Sequence, residues 1–278
     1  MSPRGRSPGD AAERRFFLER TPDEGEPALA AADERHALRV LRLGPGDPLS
    51  GLDGAGAEWP LRVVAAGPRE LALVVSGAPR RDPAPGEPGS ALPWIQLAFP
   101  PPRAGRAEEL VDHAVQLGAA ALAPLVTERS HVASGERSER WERVARESCK
   151  QSGRLWLPVI GPRVSVTEFA PPSARVLVFD PRAPRSLSEW LAEHAPGGAT
   201  AFDRARPLVL VVGPEGGWTE GELDTLAARG AQRLCLSPHI LRIETAAEAA
   251  LAIACEAFFS ASRRSFASAE TRTPNPPR

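Results

Sequence analysis

The stretch LVLVVGPEGGWTEGELDTLAARGAQRLCLSPHILRIETAAEAALAIACEAFF, residues 208–259, holds two corners of one kind. In each, a short apolar run ends at a Gly or Pro cluster and a helix is expected just beyond. At the first, Leu208 to Val212 runs into Gly213-Pro214-Glu215-Gly216-Gly217 and then Thr219-Glu220-Gly221-Glu222. At the second, Leu234 to Leu236 runs into Ser237-Pro238, and Thr245-Ala246-Ala247-Glu248 is expected to open a long Ala-rich helix. Both openings read as capping boxes, in which Thr takes the N3 amide proton and Glu reaches back to the N-cap amide. Loops at the ends of adjacent parallel strands enclose a crevice of the kind where α/β proteins hold ligands.

Upstream of this stretch the chain changes rhythm once. From Trp94, strand-like runs (94–99, 119–125, 176–180, 208–212) alternate with helical ones (105–117, 136–152), which implies βαβ units and a parallel sheet. Before it, short strands are expected over 15–18, 47–52, 58–66 and 70–76, with a helical patch over 33–41 and Gly-rich turns between. That pattern suggests a small β-barrel. The reading is therefore a barrel domain over 1–76, a Pro/Gly-rich linker over 77–93, an α/β domain over 94–261 and a disordered polar tail over 262–278.

Composition narrows the classes. The 278 residues are 42% hydrophobic and 25% charged, as in ordinary soluble globular proteins. No secretory h-region and no bilayer-spanning apolar run is present, so a cytoplasmic protein without membrane contact is expected. Cys149, Cys235 and Cys255 stand far apart without metal-type spacing, and no metal is expected. The net charge of −1 decides nothing about nucleic acid, and with Lys150 the only lysine the arginine excess reads as codon bias.

Several residues are chemically suggestive. GPEGG after a buried strand brings backbone amides close to a ligand, although it is neither a Walker loop nor GxGxxG. It reads equally as a tight left-handed turn with Glu215 exposed. Arg242 and Glu244 face either the crevice or one another as a surface ion pair. On the helix over 136–152, Arg143, Arg146 and Lys150 share a face at ~100° per residue, with Arg154 just beyond. Such a stripe tracks a phosphate backbone or is simply a solvated face. His131 beside Arg129 is a lone histidine, and no Ser/His/Asp, Cys/His or G-x-S-x-G pattern supports a hydrolase.

HALRVLRLGPGD (36–47), LVTERSHV (125–132), RWERVARESCKQSGR (140–154), VGPEGGWTEGEL (212–223) and LSPHILRIETAAEAAL (236–251) occur in order. Together they resemble the RsmE family of 16S rRNA (uridine-N3) methyltransferases, within the SPOUT superfamily. The resemblance implies an α/β chain whose C-terminal SPOUT-type domain has a trefoil knot and a parallel sheet, preceded by a small PUA-like, RNA-binding β-barrel. It also implies a homodimer that binds S-adenosylmethionine and acts on 16S rRNA or the assembling small ribosomal subunit. By position in the motifs, the cofactor residues are Val212, Gly213, Glu215, Gly216, Gly217, Leu236, Ser237 and Leu241. Arg129, Gln151, Arg154 and Arg242 match polar positions on the RNA side. The chain departs from the family pattern at Lys150, where Glu is common, and at Ile243, where Thr is common.

The function expected is methyl transfer from S-adenosylmethionine to N3 of a uridine, with Arg242 stabilising charge on a uracil oxygen. Glu244, Glu215 or water takes the N3 proton. Two rivals stand: a SPOUT ribose 2′-O methyltransferase acting on tRNA or rRNA, and a non-catalytic RNA-binding protein of ribosome assembly.

Overall fold

Alternation along residues 57–66 organises the first part of the molecule. In the computed structural model, which describes residues 14–68, 70–102, 105–130 and 138–270, Ala57, Trp59, Leu61 and Val63 point inward while their neighbours are less buried. This is the period of two that a half-buried strand imposes. The chain forms two compact units, one made of the segment up to Asp82 together with Arg146–Leu157, the other of Pro83–Ala145 and the segment from Pro158.

The first unit contains β1 (Arg15–Arg20), β2 (Ala28–Leu29), α1 (Ala31–Arg39), β3 (Pro48–Leu52), β4 (Ala57–Ala66), β5 (Leu71–Val75) and β6 (Arg80–Arg81). Its sheet runs β2-β1-β3-β4-β5, with β6 also on β4. Only β1 and β3 pair in parallel. β2 also touches β5, so the sheet curls toward barrel closure around Phe16, Leu49, Trp59, Leu61 and Leu71. The later segment is tied to this sheet by polar contacts. Lys150 Nζ lies 2.8 Å from Asp33 Oδ1, and the other oxygen of Asp33 accepts the Phe17 N–H at 2.7 Å. Trp156 Nε1 donates to the Asp82 carbonyl at 2.9 Å.

The second unit carries β7 (Ile95–Phe99), α2 (Arg106–Gln116), β8 (Ala121–Val126), the first part of α3 (Ser138–Ser152), β9 (Val159–Ile160), β10 (Val164–Ser165), β11 (Arg175–Phe179), α4 (Leu187–His194), β12 (Leu208–Val211), α5 (Glu220–Ala228), β13 (Gln232–Leu234) and α6 (Ile243–Glu270). The sheet order is β10-β8-β7-β12-β11-β13, with β9 also on β8, and every pairing is parallel. β12 is buried at all four positions, as a central parallel strand covered on both faces must be. α6 then returns to lie against β7 and β12, between α2 and α4. The chain thus steps inward from β11 to β12, outward past β11 to β13, and back across the sheet. A trefoil-knotted α/β fold needs such a double reversal.

Three expectations need correction. The strands of the two corners are not neighbours, because β11 pairs with both β12 and β13 and lies between them. Thr245 does not cap α6: the helix starts at Ile243, and the Ala246 N–H already bonds the Arg242 carbonyl at 2.8 Å. The chain past Ser262 stays helical to Glu270, since the Ala- and Ser-rich sequence there contains no helix breaker before Pro274.

Candidate functional site

Parallel strands end on the same side, so the loops after β11, β12 and β13 gather at one edge of the sheet. They enclose a cleft of about 530 Å³. Val212, Gly213, Glu215, Gly216, Gly217, Leu236, Ser237 and Leu241 all line it, and so does Arg129. The third wall was not anticipated: Phe179, Asp180 and Arg182 come from the end of β11. The apolar run ending in Asp180-Pro181 was the available signal, but its place between the two corners depends on the sheet order.

The first corner is heavily cross-linked. Thr219 caps α5 through the expected box: its hydroxyl accepts the Glu222 N–H, and the Glu222 carboxylate accepts the Thr219 N–H at 3.0 Å. The other oxygen of Glu222 takes the Glu128 N–H at 2.8 Å, joining the loop after β8 to this corner. Next to it, Arg129 Nη1 donates to the Gly216 carbonyl at 3.0 Å. Trp218 is buried and gives its Nε1 proton to the Phe179 carbonyl at 3.1 Å. A Cβ at Gly213 would sit 2.7 Å from that nitrogen, so this glycine makes room for an indole rather than for a ligand. Gly217 serves the opening itself: its φ is +69° and the space where a Cβ would stand is empty.

The second corner is sparsely bonded. Ser237 Oγ accepts the His239 N–H at 3.1 Å, and Ile240 is 87% exposed on the rim. The N–H groups of Gly216, Leu236 and Leu241 find no acceptor among the described residues, which leaves backbone donors open to the cleft.

At the β11 wall, Asp180 is 3% exposed and accepts from the Arg182 N–H at 2.9 Å, from the Arg182 side chain and from Arg233. Burial alone would raise its carboxyl, but these donors outweigh it and hold the group below its ordinary value. Arg182 also reaches Glu220 at 3.1 Å. The cleft therefore has one wall of paired charges facing loops with free amides.

Arg242 is exposed at the mouth, between the lining residues Leu241 and Ile243, and no described residue pairs with its side chain. Glu244 is not in the lining; its carboxylate accepts from Arg106 on α2 at 3.2 Å. The remaining residues read as RNA-facing belong to the first unit, whereas the cleft is built wholly from the second. Arg146 lies over the Phe17 ring, its guanidinium carbon 4.7 Å from the centroid. Lys150 is held by Asp33 and Glu147, Gln151 is exposed, and Arg154 Nε donates to the Trp156 carbonyl at 2.7 Å. His131 lies outside the described residues. Among the described residues, no group of three or more His, Cys, Asp or Glu is placed to hold a metal ion.

Residues 90–255, more than half of the chain, match the model of the RNA methyltransferase domain. The chain belongs to the RNA methyltransferase family. Its relatives in that methyltransferase family include the ribosomal RNA small subunit methyltransferase E of Synechocystis sp., 32% identical over 82% of this chain and 72% of that protein. The Bacillus subtilis protein of the same name is 26% identical over 84% of this chain and 92% of its own length. Among solved structures, the ribosomal RNA small subunit methyltransferase E from Neisseria gonorrhoeae bound to S-adenosyl methionine aligns with a TM-score of 0.68. It is 26% identical and covers 86% of this chain and 95% of that one. The RNA methyltransferase match spans both corners, and therefore the cleft between them.

Proposed function

We propose that the protein transfers the methyl group of S-adenosylmethionine to N3 of a uridine in small-subunit ribosomal RNA. One observation carries this reading: the eight residues assigned to the cofactor from the sequence line a single cleft, with Arg242, which no described residue pairs, at its mouth. The cleft suits a nucleoside-sized donor. Its volume lies within the ~300–1,000 Å³ usual for small-molecule sites. Val212, Leu236 and Leu241 offer apolar surface to a purine ring, and the free N–H groups of Leu236 and Leu241 offer donors to its edge.

S-adenosylmethionine supplies the electrophilic methyl on its sulfonium. The chain's part is to place the acceptor and carry its charge. Uridine N3 holds a proton at neutral pH, so the reacting base becomes anionic as that proton leaves. Arg242 stabilises the charge on a uracil oxygen, a role worth ~10²–10³ in rate for a well-placed donor. Of the carboxylates considered as proton acceptors, Glu215 lies in the cleft and Glu244 is engaged by Arg106, so the proton passes to Glu215 or to water. The target base has to leave its stack to reach the mouth. The same reading makes the protein a homodimer, which sedimentation equilibrium tests.

Nucleotide mass mapping of 16S rRNA from a strain lacking the gene should show one N3-methyluridine missing. A missing 2′-O-methyl instead would establish the ribose rival, and an unchanged modification set would overturn both. Arg242→Ala should lower turnover at least ~100-fold with S-adenosylmethionine affinity retained.

A further inference from the structure

The wall at the end of β11 carries an arginine aimed by a buried carboxylate. Arg182 grips Asp180 side-on: Nε donates to Oδ1 and Nη2 to Oδ2, each at 3.2 Å. The Arg182 N–H adds a further bond to Oδ1 at 2.9 Å. Asp180 is buried and also accepts from Arg233, so β13 braces the anchor from the side. A guanidinium held in this way has lost most of its rotamer freedom before any ligand arrives.

The grip leaves the far end of the guanidinium, formed by Nη1 and the second proton of Nη2, turned away from Asp180. Glu220 takes Nη1 there at 3.1 Å. This contact is of another kind from the first. The Arg182 and Glu220 side chains are 60% and 72% exposed, and an ion pair so open to water contributes little and is easily exchanged. Asp180, Arg182 and Glu220 all line the cleft. One partner of Arg182 is thus fixed, and the other is replaceable.

We propose that Arg182 binds the α-carboxylate of S-adenosylmethionine, exchanging Glu220 for it, with Asp180 as the positioning residue behind it. This rests on the reading of the chain as a methyltransferase that uses that cofactor. The eight residues assigned to the cofactor offer apolar surface, backbone, a serine and the carboxylate of Glu215, but no cation. The amino-acid end of the cofactor therefore lacks a counter-charge in that set. The arginines in the cleft lining are Arg129 and Arg182, and Arg129 Nη1 is on the Gly216 carbonyl. Arg182 offers two neighbouring N–H groups, which a carboxylate takes bidentately where Glu220 takes one. The charge of Asp180 is spent on two arginines, so it does not repel a second carboxylate as a free acid would. Preorganisation by Asp180 also lowers the ordering cost of binding.

The test is isothermal titration of the full-length protein with S-adenosylmethionine, with its decarboxylated form, and with 5′-methylthioadenosine, which lacks the whole amino-acid end. The wild type should prefer S-adenosylmethionine to the decarboxylated form by about 10–100-fold, the range for a hydrogen-bonded charged group. Arg182→Gln should lose that factor for S-adenosylmethionine alone and bind the other two ligands as the wild type does. Glu220→Gln removes only the competitor, so it should bind S-adenosylmethionine more tightly. Arg206→Gln breaks a surface pair with Asp203 outside the cleft lining and should match the wild type with all three ligands. A wild type that binds S-adenosylmethionine and the decarboxylated form equally overturns the assignment, as does an Arg182→Gln protein that keeps the preference. Equal loss of all three ligands in Arg182→Gln also overturns it, because the arginine then serves only to staple the β11 loop to the start of α5. A wild-type protein that binds none of the three overturns the methyltransferase reading instead.

Discussion

The two loops that enclose the cleft are similar in sequence rhythm and opposite in construction. After β12, Trp218 is anchored on the Phe179 carbonyl, Thr219 and Glu222 close a complete capping box, and Glu222 ties in the loop that carries Arg129. Beyond the Cys235 backbone bonds to Arg185 and Leu187, residues 236–241 show one serine-to-amide bond among the described residues, where the other loop has a network, and Ile240 is 87% exposed. Local stability follows buried contacts and satisfied backbone groups. The first loop is thus held by its own bonds, and the second leaves the Leu236 and Leu241 N–H groups without an acceptor among the described residues. Two loops of one site need not share the work of binding equally.

The contrast can be broken most strongly at Trp218. Trp218→Ala removes a buried indole and its hydrogen bond, and should destabilise the protein by about 3–5 kcal/mol in denaturant titration, with cofactor binding lost. Glu222→Gln comes next. One amide oxygen can serve the cap or the Glu128 N–H but not both, so a loss of about 1–3 kcal/mol is expected. The KM for RNA should rise more than the Kd for S-adenosylmethionine, because the loop bearing Arg129 is released. Equal effects on both would contradict the assigned link.

In the second loop, Ile240→Ser should leave stability within ~0.5 kcal/mol, since the side chain is already in water. Hydrogen exchange of residues 236–241 should be fast in the free protein and slow on addition of S-adenosylmethionine, while residues 213–222 change less. Protection of 236–241 without ligand would erase the distinction. The smallest effect concerns Glu248, which in place of a second cap accepts from His113 Nδ1 at 2.7 Å. That bond raises the His113 pKa above its ordinary value near 6.5. Its contribution is full below pH ~6.5 and fades as pH rises through the folded-state value. Wild-type Tm should therefore fall slightly more than that of His113→Gln between pH 6 and 8.

Local signals were readable where a local interaction decides the structure. Thr219 to Glu222 read as a capping box and forms one, and the strand expected over 58–66 between its Gly-rich turns is β4. The same Thr-x-x-Glu spacing misled at Thr245, because the backbone had already turned helical two residues earlier. What settles such a case is where the preceding loop arrives, a matter of tertiary structure. Lys150 looked like a member of a phosphate-tracking stripe. Its partner Asp33 lies 117 residues away, a distance along the chain over which no periodicity carries information. Asp180 and Arg182 escaped for a related reason: only the sheet order brings the end of β11 between the two corners.

The first unit is not a continuous piece of chain. Phe17 and Asp33 find their partners Arg146 and Lys150 in a segment that is synthesised more than sixty residues after Asp82. On a ribosome making this protein, the N-terminal sheet emerges well before the residues that complete it. A gene fusion that takes the chain only as far as the Pro-rich stretch would transplant an incomplete body with a carboxylate and an aromatic ring uncovered. Exchange between relatives should therefore succeed when both segments move together, and fail when the break is placed where the composition suggests one.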